Sequence, residues 1–142
     1  MKHSMRKISA AAVLGITMFA SASVSAKDSI DGSKDLLCAV FDVMACVDGG
    51  HCTRGEASSF GLPPFMRVLV KEKVIRATYD GGAKTADSPI KNSSESGNQF
   101  ILQGVENNHG WTMAIHRETG TMKVSSIGYE VSFTAFGGCQ AL

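Results

Sequence analysis

The chain lacks a dominant charge, a long hydrophobic run and any paired C-x-x-C cluster, and each absence removes a class of function. Lys and Arg number 14 against 13 Asp and Glu. A nucleic-acid-binding domain would show a basic excess, so that class is disfavoured. The one extended apolar stretch, Ile8 to Ala20, is shorter than the roughly 20 residues a membrane-spanning helix needs. Without C-x-x-C pairs the cysteines do not have zinc-site spacing, and no C-x-x-C-H offers haem attachment. The G-x-S-x-G nucleophile elbow, the H-E-x-x-H zinc motif and a phosphate-cradling loop are missing too; Gly49-Gly50 and Gly81-Gly82 are isolated turn pairs. The sequence therefore nominates no catalytic residue, no metal ligand and no cofactor-binding residue, and reads as a non-enzymatic protein.

What is present begins with a three-part N-terminal segment. Lys2, Arg6 and Lys7 form a positive region, Ile8 to Ala20 an uncharged apolar region, and Ser21 to Ala26 a small polar one with Val24 and Ala26 at the positions signal peptidase reads. Residues 1–26 are accordingly read as a cleaved signal peptide, which places the mature protein in the periplasm or outside the cell. The first cysteine is Cys38, away from the cut, so a lipid anchor is not indicated. Cleavage leaves 116 of 142 residues, enough for one domain with a modest core. The mature chain carries 11 basic and 13 acidic residues, a net charge of −2 with His neutral.

All four cysteines lie in this mature part, and an even count in a small exported domain reads as two disulfides. Four cysteines allow three pairings. Cys46 and Cys52 flank a short glycine-bearing loop, Val47 to His51, which favours their pairing and leaves Cys38 for Cys139, tying the first element to the last.

Residues 27–35 are polar and read as a flexible lead-in; 36–142 read as one β domain. Leu36 to Val47 is ambiguous. A helix would align Leu37, Val40, Phe41 and Met44, whereas a strand would set Leu37, Ala39, Phe41, Val43 and Ala45 on one face. The strand is preferred because everything downstream is strand-like. From Phe65 onward, short alternating runs are separated by turn residues: Phe65 to Val70, Lys73 to Tyr79, a weaker Ser88 to Ser94 with Pro89 marking a start or edge, Gln99 to Glu106, His109 to His116, Thr121 to Ile127, and a last run from Tyr129. Seven or eight such strands predict an all-β fold, a small antiparallel meander closed or nearly closed into a disulfide-braced barrel.

The motifs Leu62-Pro63-x-Phe65, Leu102-Gln103-Gly104-Val105-Glu106, Gly110-Trp111-x-Met113-x-Ile115, Thr119-Gly120-x-Met122 and Phe136-Gly137-Gly138-Cys139 resemble those of an uncharacterised family of small exported bacterial proteins. The resemblance covers most of residues 36–140 and implies a fold and a compartment. It carries no active site. A fainter likeness is to the periplasmic inhibitors of c-type lysozyme, small disulfide-containing β-barrels that present an S-x-S-G-x-[RK]-Y loop. Ser94-Glu95-Ser96-Gly97-Asn98-Gln99-Phe100 matches its first half only, because Gln99 and Phe100 stand at the basic and Tyr positions.

Three expectations about function follow. The leading one is an exported binding protein that engages another envelope protein, including as an inhibitor, through a loop holding Ser94, Ser96, Gly97 and Asn98. The alternative is a carrier of a small apolar ligand inside the barrel, lined by Phe100, Leu102, Trp111 and Met113. An enzyme comes last, because no histidines and carboxylates converge: His109 and His116 share a run but, seven residues apart, point to opposite faces. Glu106 shares the face of Phe100 and Leu102 and is read as a loop charge just past the strand; Trp111 and Phe65 are read as core fillers.

Overall fold

The structure, a computed structural model, describes residues 29–142. The signal segment expected over residues 1–26 lies outside the described residues. Nine strands follow in chain order: β1 (Leu36–Val47), β2 (His51–Gly55), β3 (Phe65–Leu69), β4 (Val74–Tyr79), β5 (Lys84–Ser96), β6 (Gln99–Glu106), β7 (His109–His116), β8 (Thr121–Ile127) and β9 (Val131–Ala141). From β3 to β9 each strand pairs with the next, and β1 closes the ring by pairing antiparallel with both β3 and β9. The product is a closed antiparallel barrel of eight strands, with β2 a short extra strand beside the second half of β1. Closure leaves no long open sheet edge. Among the described residues no helix is long and apolar enough to cross a membrane.

The ambiguous segment Leu36–Val47 is a strand, but it does not alternate strictly. Its register against β9 shifts between Val40 and Asp42, a β-bulge that adds one residue and flips the phase. Before the bulge Leu36 and Cys38 are buried; after it Val43 and Ala45 are. The same flip explains two disulfides of different character. Cys38 lies opposite Cys139 inside the barrel and bonds to it, whereas Cys46 has rotated outward and bonds Cys52 across the exposed β1–β2 hairpin. Arg54 of β2 also donates to the Asp42 carboxylate, holding Asp42 below the usual carboxylate range and fastening β2 to β1 a second time.

β5 departs from its expected outline. It runs 13 residues, and Pro89 sits in its middle. Lys84 to Pro89 pair with β4, and Ile90 to Ser96 pair with β6, with a register shift between Ile90 and Asn92. Pro89 therefore marks neither a strand start nor a sheet edge. It marks the handover from one neighbour to the other, where the ladder to β4 ends.

The lead-in is not loose from Ile30 onward. Ile30 is 1% exposed; its amide donates to the Arg117 carbonyl (2.9 Å), and Arg117 Nε donates to the Ile30 carbonyl (3.1 Å). Asp35 accepts the Val70 amide at 2.9 Å. One apolar residue between polar neighbours gave little sign of this, yet burying an isoleucine is worth about 1.5–3 kcal/mol, enough to hold a short segment. Ile30 joins Leu36, Val68, Leu102, Ile115 and Met122 in the main core, packed around the Cys38–Cys139 bridge. Phe65 is no core plug. It pairs with Ala39 and is 54% exposed on the outer wall, because Met66 and Val68 take the inward positions of β3.

Candidate functional site: an apolar cavity at one end of the barrel

The main core fills only part of the barrel. Towards the end formed by the last residues of β4, β6 and β8 and the first of β5, β7 and β9, the interior holds an open cavity of about 170 Å³. Every one of the eight barrel strands contributes to its wall. Met66, Ile75 and Met113 belong both to the buried core and to the cavity lining, whereas Leu62 and Pro63, from the segment after the 3-10 turn Ala57–Phe60, lie against its side. The void exists because inward positions hold small side chains: Ala77 on β4, Ala86 and Ser88 on β5, Ser126 on β8 and Ala135 on β9.

Trp111 shapes one wall. Its partner across the β6–β7 ladder is Gly104, and a Cβ at position 104 would lie 2.2 Å from indole Cζ2. The missing side chain lets the indole lie across β6 and reach β5, where Nε1 donates to Ser88 Oγ at 3.0 Å. Ser88 is a buried polar residue, and this bond satisfies it. Trp111 is thus half-buried lining rather than pure filler.

Glu106 is placed differently from expectation. β6 continues through Glu106, which pairs with His109, so the side chain keeps the inward phase of Phe100 and Leu102 and lines the cavity. The loop begins only at Asn107, whose side-chain Nδ2 donates to Glu106 Oε1 at 3.4 Å. Near it stands Tyr79, the last residue of β4. Burial first, and the Glu106 charge second, push the Tyr79 phenol above its ordinary value. Because the folded-state value is raised, the stabilisation is complete below the unfolded phenol's pKa of about 10 and is lost as pH rises through the folded value. An alkaline ultraviolet titration should therefore show one phenol ionising late, and Tyr79→Phe should remove that step and flatten the alkaline loss of stability. A late step that persists in Tyr79→Phe would contradict this environment.

His109 wedges the same end. Its Nδ1 faces the Asn107 carbonyl at 3.0 Å and so carries the proton, while Nε2 is buried without a partner against Gly128, where a Cβ would stand 2.3 Å away. The ring lies 6.4 Å from that of Phe133, another lining residue. His116 points outward, near Asn98, so the two histidines do not meet. Among the described residues no three His, Cys, Asp or Glu side chains are grouped as a metal site would require.

The four residues named as interior lining all point inward but divide between two places. Trp111 and Met113 line the cavity; Phe100 and Leu102 lie deeper and border a second space of about 190 Å³ with Lys73, Lys91 and Asn92, where β5 has parted from β4. Ser94, Ser96, Gly97 and Asn98 form the exposed β5–β6 hairpin, at the barrel end remote from the cavity. That hairpin is held by Arg117, whose amide donates to the Asn98 carbonyl (2.9 Å) and whose guanidinium pairs with Glu95 (3.0 Å). Sequence reasoning missed Tyr79 and the small wall residues as a site. The alternation of Ile75, Ala77 and Tyr79 was visible, but only closure of the barrel shows that they face Glu106 and Trp111. Comparison with protein-family models, curated proteins and solved structures finds no match to this chain.

Proposed function

We propose that this is an exported, non-enzymatic binding protein that carries a small apolar ligand in the open end of its barrel. The observation behind it is the cavity itself, about 170 Å³, lined mostly by apolar side chains with a few polar groups among them. An engineered protein cavity of about 150 Å³ accepts benzene, so the volume suits a single aromatic ring or a short alkyl chain. Export rests on the residue pattern of Met1 to Ala26 and is in keeping with the two disulfides, which persist in oxidising compartments.

Trp111 is the sole tryptophan and lines the cavity, so its emission is a built-in reporter. Titration with benzyl alcohol should change that emission saturably, with a Kd on the order of 0.1–1 mM for a ligand of this size. Ala77→Leu, which fills the void, should abolish the change while leaving the β-sheet circular dichroism intact. Emission that responds to none of benzyl alcohol, benzylamine and benzoate, or responds equally in Ala77→Leu, would remove the proposal.

A second reading is favoured by the hairpin Ser94 to Asn98, which is exposed yet tethered by Arg117. Here the protein engages an envelope partner, including as an inhibitor. A partner recovered from envelope extracts should be lost when Ser94, Ser96 and Asn98 are replaced together by alanine; one that stays bound does not use this loop.

A further inference from the structure

We infer that the ligand of this cavity carries a cationic head, a primary ammonium on a small apolar body, with the ammonium at Glu106 and the hydrocarbon against Trp111. The inference rests on the cavity being a ligand site. It begins from the charges of the lining. Among the described residues Glu106 is the only charged side chain on the wall, and no Lys, Arg or His lines it. Glu106 is a half-buried residue, and among the described residues it has no ion-pair partner; its carboxylate accepts from the neutral side-chain amide of Asn107 at 3.4 Å. Some carboxylates elsewhere on the barrel do have a cation beside them. Asp42 is matched by Arg54, Asp87 by Arg76 and Glu95 by Arg117. Lys84 lies close by, yet its Nζ stands over the Tyr79 ring, 5.8 Å from the centroid, and makes no salt bridge to Glu106.

A carboxylate set at an apolar wall offers a charge-assisted hydrogen bond to a positive ligand group and none to an anionic one. The rest of the wall suits a cation with a hydrocarbon body. Trp111, Tyr79 and Phe133 offer aromatic faces, which attract cations through the ring quadrupole. An ammonium can donate to the Glu106 carboxylate and to the Tyr79 hydroxyl oxygen, while the adjoining carbons displace water from Trp111 and Met113. An anionic head is repelled by Glu106, and a neutral one leaves it uncompensated.

The test compares three probes of one shape, benzylamine, benzyl alcohol and benzoate, by Trp111 emission in the purified protein and in Glu106→Gln. Benzylamine should bind about tenfold more tightly than benzyl alcohol, as a charge-assisted hydrogen bond provides, and benzoate should be weakest. Glu106→Gln should bring benzylamine down to the level of benzyl alcohol without weakening the alcohol. Equal binding of amine and alcohol to the unmodified protein would overturn the cationic head and leave the cavity standing. An amine preference that survives in Glu106→Gln would overturn the role of Glu106. Failure of all three probes would remove the cavity reading itself, and this inference with it. The ranking in the unmodified protein decides the matter even if the variant is poorly folded.

Discussion

Replacing Cys38 and Cys139 together by alanine should lower the unfolding free energy by about 4–5 kcal/mol, roughly twice the loss from replacing Cys46 and Cys52. The two bridges differ in the chain they close: 101 residues separate the first pair and 6 the second. In the loop-entropy account the cross-link acts by restricting the unfolded chain, and the restriction grows with the logarithm of the loop, giving about 4.7 and about 2 kcal/mol. The native environments widen the gap. Cys38 and Cys139 lie within the main core, so their loss also disturbs packing, whereas Cys52 is exposed. Against a typical domain stability of 5–15 kcal/mol the first loss is large, and it corresponds to a fall in Tm on the order of 15–20 °C. Urea denaturation without reductant measures both variants. Equal losses would mean that the long bridge does not constrain the unfolded chain as this account requires.

The second large effect is expected on the same seam. Gly137→Ala should destabilise by about 3 kcal/mol or more, at the upper end for overpacked interiors. A Cβ at position 137 would stand 2.1 Å from the carbonyl oxygen of Ala39 and 2.6 Å from Met122 Cε. The methionine can move. The carbonyl cannot, because it belongs to the strand paired directly with β9, next to the bulge between Val40 and Asp42. Relief therefore requires β1 and β9 to part where the barrel closes. Gly138→Ala is the matched control, since its Cβ would meet Phe41 at 3.6 Å and the Gly120 carbonyl oxygen at 3.8 Å, both ordinary contacts. A chemical melt in which the two variants lose the same stability would show that the bulge tolerates a side chain.

The two positions also show which parts of the molecule could be read from residue order. β7 and β8 are mostly apolar on one phase and mostly polar on the other, so their limits and inward faces were legible, as were the inward Phe100 and Leu102 of β6 and the pairing of cysteines across a short loop. β1 was not. Its residues are apolar on both phases, so nothing in Leu36 to Val47 betrays the one extra residue that turns Cys46 outward. The signal lies far along the chain, at Gly137, and acquires meaning only once β9 is known to face β1. β5 is polar over most of its length, with only Ser88 and Ile90 buried, and so it shows little alternation to find.

The site was legible in pieces. Trp111 and Met113 stood out as large inward residues, but a cavity is made by what is small. Ala77, Ala86 and Ser126 attract no notice in a sequence, and their conjunction is a property of three different strands. Glu106 turned on one residue of strand length. Its inward phase was evident; that β6 reaches it was not, because the Asn107-Asn108 turn admits either boundary. Both of those asparagines take positive φ, at 46° and 63°, which ends the strand after Glu106 rather than before it.

Joining the first strand to the last also orders events in time. The closing pairs link residues 36–47 with residues 131–141, so nothing can complete the ring until residues 131–141 have emerged. Contacts so distant in sequence form slowly, because the entropy of bringing the ends together must be met before any closing contact repays it. Until then the barrel has no closing seam, and β1 has only β2 and β3 beside it. The ring locks afterwards, when Cys139 arrives beside Cys38 and oxidation turns a late encounter into a permanent one.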